Sequence, residues 1–297
     1  MCLILMIKME TNYFKEQLQA KESMLAQTTR FLVQIQQDLQ ENNDKLLFAN
    51  NEIYDSINFA SLIQDSLLPD TDILKVFFKD ASYKVIQQIG IGGDTVFIKN
   101  TNKGVVFGLL DSTGHGVPAA LLSISGTLLL KELMTSMEID NPQTLLKLLN
   151  YQLHKTFNNS KSSIAHKEGV IFSYSSTQKK LTYSSAKGKS LLLHQTGEIE
   201  ELVSTKISIG DEANAEFELF EICIVSGDKL VVYSDGLTDQ FGGDKNKKFS
   251  RQRLKNLLIK TPTESASGLV KIIEDEFLVW KNENKQTDDV SFMIIEF

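Results

Sequence analysis

From the start of the chain to Leu68 the hydrophobic positions keep a seven-residue period. Leu18, Leu25, Leu32, Leu39, Leu46, Ile53, Ala60 and Leu67 recur at that spacing, and no Gly or Pro interrupts residues 1–68. Such a repeat keeps one seam of a helix facing a partner helix, so it predicts a coiled coil. The second seam position is mixed, with Phe14, Lys21, Thr28, Ile35, Asn42, Ala49, Ser56 and Ile63. A polar seam residue such as Asn42 fixes register at some cost in stability. The expectation is a parallel homodimer through residues 14–68; a single helix folded back on the downstream domain is the alternative.

After Pro69 the period shortens from helical to alternating. Tyr83 to Ile89 reads as a strand that feeds Gly90-Ile91-Gly92-Gly93-Asp94. Two β-branched and aromatic runs, Thr95 to Lys99 and Val105 to Leu110, flank Thr101-Asn102-Lys103-Gly104, the residue pattern of a hairpin. Helical spacing follows from Pro118, and Asn141-Pro142 opens a second helix expected to reach Asn158. Strands are expected at Gly169 to Tyr174, Lys180 to Ser185, Ser190 to Gln195, Glu198 to Val203 and Glu216 to Ile224, and the stretch Gly227 to Gly236 reads as a buried strand ending on Asp235. Arg251 to Ile259 and Glu264 to Lys281 read as helices, and Val290 to Glu296 as the closing strand. Strands, helix pair, strands, helices and strand, without a repeating βαβ unit, favour an α+β layered sandwich over a doubly wound parallel sheet. The expected division is a coiled-coil helix over 1–68 and one large domain over 69–297.

Composition narrows the classes. The 297 residues are 42% hydrophobic, enough for a substantial core, and carry a net charge of −7. No extended Lys/Arg cluster offsets that charge, which argues against nucleic acid or an anionic membrane as a general partner. Cys2 and Cys223 are the only cysteines, so a disulfide framework or thiolate metal site is not expected, and a reducing cytoplasm is. The apolar opening Met1 to Ile7 is ended by Lys8 and Glu10. It falls far short of the roughly 20 residues that span a bilayer, and reads as a frayed terminus or the tail of a longer apolar segment.

The candidate chemistry is acidic. Antiparallel pairing of the expected hairpin brings Asp94 and Asp111, at its outer ends, side by side with glycines near both. Two bare carboxylates about 4 Å apart repel by roughly 4 kcal/mol at an effective dielectric of about 20, so the pair requires cations, a shared proton or a basic partner. Asp235 and Asp288 or Asp289 also stand at strand ends beside Gly, Ser or Thr. One such aspartate is most simply a turn cap. Several together, without Cys or clustered His, suit a hard cation such as Mg²⁺ or Mn²⁺. Two such ions roughly 3.5–4 Å apart would support hydrolysis of a phosphoester.

Gly92-Gly93-Asp94, Asp111-Ser112-Thr113-Gly114-His115-Gly116-Val117-Pro118, Ser234-Asp235-Gly236-Leu237-Thr238-Asp239 and Thr287-Asp288-Asp289-Val290 resemble the ordered motifs of bacterial SpoIIE/RsbU-type serine/threonine phosphatases. These belong to the metal-dependent type 2C superfamily, and the resemblance runs from about Ile57 to Phe297. It implies two stacked antiparallel sheets flanked by helices, an αββα sandwich with metal at one edge. Carried over by motif, Asp94 and Asp111 would bridge two Mn²⁺ or Mg²⁺ ions, the Ser112 backbone carbonyl would add an oxygen, and Asp235 and Asp288 would complete the site. Asp239 would hold an outer water or a third ion, and Asp289 is the alternative to Asp288. The implied reaction is hydrolysis of a phosphoserine or phosphothreonine regulatory protein, such as an anti-sigma-factor antagonist, by metal-activated water.

Two departures from the family pattern stand out: Thr95-Val96-Phe97 after Asp94, and Glu168-Gly169-Val170-Ile171 where relatives carry Asp-Gly-Met-Asp. Both avoid the expected ligands and bear on substrate preference or turnover. His115 reads as a turn histidine or a general acid, while His154, His166 and His194 have no neighbours in sequence that suggest a site. Lys245, Lys247 and Lys248 belong to a solvated loop or to a contact with a phosphoprotein. Two other functions remain open: a coiled-coil adaptor whose phosphatase fold has lost activity, and a phosphohydrolase of small molecules. No P-loop or Rossmann-type glycine motif favours a nucleotide.

Overall fold

The computed structural model describes residues 2–157 and 166–297. Asn158, the expected end of the second helix, lies outside the described residues. In chain order the elements are α1 (Cys2–Asp65), α2 (Asp72–Lys75), β1 (Asp80–Ile86), β2 (Thr95–Thr101), β3 (Gly104–Ser112), α3 (Gly116–Ser136), α4 (Pro142–Phe157), β4 (Lys167–Ser175), β5 (Lys180–Ala186) and β6 (Lys189–Leu193). Then follow β7 (Ile199–Glu201), β8 (Phe220–Ile222), β9 (Lys229–Tyr233), α5 (Asp235–Asp239), β10 (Phe241–Gly242), β11 (Lys247–Lys248), α6 (Arg251–Lys260), α7 (Ala266–Lys281) and β12 (Val290–Glu296).

Internal contacts divide the chain between Ser56 and Ile57, inside α1. The first unit is helix alone. Its i,i+4 partners Gln34–Asp38, Gln40–Asp44 and Lys45–Glu41 support the helix locally. The heptad residues Leu18, Leu25, Leu32, Leu39, Leu46 and Ile53 are all exposed in the single chain.

The second unit is two antiparallel five-stranded sheets, ordered β1-β12-β9-β6-β7 and β2-β3-β4-β5-β8. Period-two alternation sorts their side chains into layers. In β3, Val105, Phe107 and Leu109 point between the sheets and join Val96, Phe172, Val232, Met293 and Ile295 in the central core. Their neighbours Val106 and Leu110 point the other way, under α3 and α4, with Leu130, Leu133, Leu145 and Leu149. The outer face of the other sheet packs on α6 and α7 through Val231, Phe292, Ile294, Leu254, Leu269, Ile273 and Phe277. The result is an αββα sandwich, and each fully buried Leu, Ile or Phe contributes about 1.5–3 kcal/mol relative to exposure. Among the described residues one helix, α3, is long and apolar enough by length and composition to cross a membrane; here it lines the core.

Several boundaries move from the sequence expectation, each for a pairing reason. β1 spans Asp80 to Ile86 because it pairs residue for residue with β12, from Asp80 opposite Glu296 to Ile86 opposite Val290. In the expected strand Glu216 to Ile224, only Phe220 to Ile222 pairs, as an edge strand on β5. Phe241–Gly242 and Lys247–Lys248 form a small hairpin, not a plain loop. Asp235 opens a short helix instead of closing β9.

Candidate metal centre

The hairpin of β2 and β3 sets the centre. Thr95 faces Leu110 in the register, which puts Asp94 beside Asp111 one step beyond. By alternation both aspartates point between the sheets, on the side of Val96 and Leu109. Asp94 is 1% exposed. Its Oδ2 accepts a hydrogen bond of 2.7 Å from Ser291 Oγ of β12, whereas Oδ1 is buried with no hydrogen-bond partner among the described residues. Burial pushes the Asp94 carboxyl up to about 7, and Asp289 and Asp288 push the same way. Asp111 rises well above the ordinary carboxylate range through burial and then the charges of Asp94, Asp235 and Asp288.

The flanking loops are held by backbone contacts. The Ser112 N–H donates to the Gly93 carbonyl at 3.2 Å. An added Cβ on Gly93 would stand 2.4 Å from the Ser112 carbonyl oxygen, so only glycine permits that approach. At the next turn of the loop, Gln64 at the end of α1 grips Gly92 from both sides. Its Nε2 donates to the Gly92 carbonyl at 2.7 Å, and its Oε1 accepts the Gly92 N–H at 3.2 Å.

Asp288 and Asp289 differ in what surrounds them. Asp289 is buried, with Oδ1 accepting the Gln88 N–H at 2.7 Å and Oδ2 the Gly93 N–H at 2.6 Å. Asp288 is half-buried, its Oδ1 accepting the N–H of Asp289 at 2.8 Å. Burial raises both carboxyls. Asp235, at the start of α5, lies 3.3 Å from Lys189 Nζ. Asp239 is exposed and pairs with Lys248 at 2.8 Å. His115 stands exposed before α3, and its charge would favour ionised Asp288 and Asp289. His194 lies near Asp228 and Glu200 at a sheet end, and Cys223 is exposed and free.

Asp94, Asp111, Asp235 and Asp288 therefore share one electrostatic neighbourhood. Asp239 is turned away to Lys248, and Asp289 is occupied by backbone. Among the described residues no three carboxylate, imidazole or thiolate groups form a ready-made coordination shell. Lys189 draws Asp235 aside and the Asp289 N–H draws Asp288. The donor set nonetheless suits a hard divalent cation: all oxygen, multiply acidic, with the unpartnered Asp94 Oδ1 at its centre.

One residue escaped the sequence reading. Lys167, 1% exposed, opens β4 opposite Ser112 and donates from Nζ to Ser112 Oγ. Burial pulls its ammonium down to about 7, while the charges of Asp111 and Asp94 pull it up. The only signal in the sequence was its position just ahead of the divergent Glu168-Gly169-Val170-Ile171.

This fold, with an acidic cluster at the β2–β3 end, is that of the metal-dependent type 2C protein phosphatases. Residues 101–297 match the family described as Stage II sporulation protein E (SpoIIE), two thirds of the chain, and the chain belongs to that family of serine/threonine phosphatases. No curated protein sequence matches it. The SiaA-PP2C domain of Pseudomonas aeruginosa is similar in structure, with a TM-score of 0.76, 21% identity, and coverage of 84% of this chain and 98% of that one. The phosphatase domain and regulatory fragment of SpoIIE from Bacillus subtilis gives a TM-score of 0.61 at 14% identity, over 73% of this chain and 63% of that one. RsbX, solved in complex with magnesium, gives 0.51 at 16% identity, over 73% of this chain and 94% of that one. At these identities the likeness speaks for the fold.

Proposed function

We propose that this chain is a Mn²⁺- or Mg²⁺-dependent protein serine/threonine phosphatase of the cytoplasm. Its substrate would be a phosphorylated regulatory protein such as an anti-sigma-factor antagonist, and it would dimerise in parallel through residues 14–68. The observation that carries the reading is the Asp94–Asp111 pair on the inner face of the sandwich, with Asp94 Oδ1 buried and unpartnered. Two divalent ions, when bound, supply Lewis acidity for attack of water on the phosphoester.

Asp94 and Asp111 hold the centre, the Ser112 carbonyl adds a neutral oxygen, and Asp235 and Asp288 complete the set. The choice of Asp288 is supported by the engagement of both Asp289 oxygens with backbone N–H groups. Asp239 would have to leave Lys248 to serve a third ion. Ser291 and Gln64 orient the centre from outside, one through Asp94 and the other through Gly92. A groove beside the centre is lined in part by Lys187, Lys189, Lys206, Arg251 and Glu201; Lys187, Lys189 and Arg251 pair with Glu168, Asp235 and Glu201, and a phosphopeptide would compete for these cations.

The test is turnover of an aryl phosphate and a phosphoserine peptide with Mn²⁺, Mg²⁺ or chelator, comparing the wild type with Asp111→Asn. Metal-dependent turnover that disappears in the variant supports the proposal. A folded, metal-loaded wild type without turnover on either substrate would sink it in favour of the adaptor.

A further inference from the structure

The turn between β5 and β6, Lys187-Gly188, carries a lysine into the neighbourhood of the acidic centre, and Lys189 follows it at the start of β6. The turn is pressed onto β4: Lys187 pairs with Gly169 in an isolated parallel bridge, and a Cβ on Gly188 would fall 2.5 Å from the Gly169 carbonyl oxygen. Only glycine at 188 permits that approach. Lys187 itself has a φ of 53°, a left-handed conformation that a lysine adopts only at a cost. Gly169 follows Glu168, which stands opposite Asp111 in the register of β4 on β3, so the turn comes down beside Asp111.

Two cavities meet there. Asp111, Glu168 and Asp235 line a narrow one, Glu201, Lys206 and Arg251 line a wider groove of about 350 Å³, and Lys187 and Lys189 line both. Four of the five charged residues along the groove are cations, in a chain whose net charge is −7. Lys187 is braced toward the narrow cavity: its Nζ donates to Ser208 Oγ at 2.7 Å and lies 3.4 Å from Glu168. Glu201, the groove's one carboxylate, is shared between Arg251 and Lys255. Lys206 is exposed and makes no ion pair among the described residues. The groove therefore keeps positive charge that its own acids do not neutralise.

We propose that this groove is a specificity subsite for acidic side chains flanking the phosphorylated serine or threonine of the substrate, with Lys187 and Lys206 as its specificity-determining cations. The inference rests on the phosphatase reading and narrows its substrate to a phosphoprotein segment rich in Glu or Asp. A phosphoserine whose phosphoryl group reaches the narrow cavity carries its neighbours past Lys187 into the groove. Charge pairs open to water contribute little each, so what the groove supplies is discrimination among phosphoproteins more than tight binding.

The experiment presents the full chain with phosphoserine peptides flanked by Glu, by Gln or by Lys, and measures kcat/KM in Mn²⁺. Fluorescence anisotropy in chelator follows the binding of the unphosphorylated Glu-flanked and Lys-flanked peptides. Wild type is compared with Lys187→Gln, Lys206→Gln and Lys206→Glu; Lys206 is exposed, so its two variants read the groove even where Lys187→Gln fails to fold. Wild type is expected to favour the Glu-flanked phosphopeptide over the Gln-flanked one roughly tenfold, chiefly through KM. That preference should largely vanish at about 1 M salt, where exposed charges are screened. Each Gln variant should lower it about threefold, and Lys206→Glu should turn it toward the Lys-flanked peptide.

A wild type without the preference, or a preference that survives unchanged in the variants, overturns the subsite and leaves the phosphatase reading intact. Equal loss of turnover on all three phosphopeptides overturns it too, because the cations would then serve the phosphoryl group that the peptides share. Wild type without turnover that binds the Glu-flanked peptide more tightly than the Lys-flanked one, an order lost in Lys206→Glu, removes the phosphatase reading and keeps the acidic-peptide groove. Neither turnover nor that order of binding removes both.

Discussion

Asp289 Oδ2 accepts the backbone N–H of Gly93 at 2.6 Å, although 196 positions separate the two residues in the chain. The other carboxylate oxygen takes the Gln88 N–H, so one side chain from the start of β12 fixes the loop that delivers Asp94. Its neighbour Asp288 makes no such contact beyond its own following N–H. Adjacent, chemically identical residues thus hold different positions: one shapes the loop, and the other remains available to the centre.

Asp289→Ala should therefore be costly and Asp288→Asn should not. Hydrogen bonds to a charged acceptor contribute about 1.5–3 kcal/mol each, so loss of the Asp289 pair is expected to lower stability by about 3–6 kcal/mol. Asp288→Asn should stay within about 0.5 kcal/mol of wild type while weakening Mn²⁺ binding. Urea denaturation in chelator, alongside Mn²⁺ titration, separates the two. The opposite pattern would reassign the ligand to Asp289.

The contact of Gly93 with the Ser112 carbonyl gives a second prediction. Gly93→Ala puts a methyl 2.4 Å from that oxygen, and backbone cannot yield as a flexible side chain would. The expected cost is about 1–3 kcal/mol of stability, with a parallel loss of Mn²⁺ affinity as the carbonyl is displaced. An unshifted melting temperature and titration curve would refute the close approach.

Stability without metal should depend on pH with a definite sign. The Asp94 carboxyl is raised to about 7 in the folded chain, so the folded state holds its proton more firmly than the unfolded one. Its contribution is complete below the ordinary carboxylate range, about pH 4, and is lost as pH rises through about 7. Lys167, lowered to about 7, adds the reverse slope only above that pH. The melting temperature in chelator is expected to fall between pH 4.5 and 7, roughly the window of the Asp94 shift. Asp94→Asn should flatten that slope, and an equal slope in wild type and variant would contradict the assignment.

The exposed heptad stripe of α1 predicts association. Leu32 and Leu39 are 59% and 64% exposed in the single chain, on a face with the period of a coiled-coil seam. Light scattering should find a dimer for wild type and a monomer for Leu32→Lys combined with Leu39→Lys. A dimer that persists in the double variant would move the interface elsewhere.

Much of this protein is legible in one dimension. The heptads of α1, the alternation of β2 and β3, and the closing strand Val290–Glu296 follow from periodicity, because burial of one face repeats at the pitch of the element. The juxtaposition of Asp94 and Asp111 was equally readable, since a short hairpin turn fixes register. Local pattern also marked Asp235 and the pair Asp288-Asp289 by their turn-rich surroundings, without saying which oxygen atoms they would offer.

Tertiary structure alone decided how those groups are held. Nothing in Asp288-Asp289 distinguishes its two carboxylates until β12 comes to lie against the Gln88 and Gly93 backbone. Nothing around Lys167 in the sequence marks it as buried; its burial comes from the pairing of β4 with β3 and the packing of α3 over it at Gly126. The sequence gives no contact for Gln64, whose amide the folded chain sets on both sides of Gly92. The sequence determined which elements form and which acids they carry, because those depend on neighbours a few residues apart. Which groups are buried, paired or left without a partner depends on elements more than 200 positions apart, as in the contact of Lys79 with Glu296, 217 positions on, and only packing brings those together.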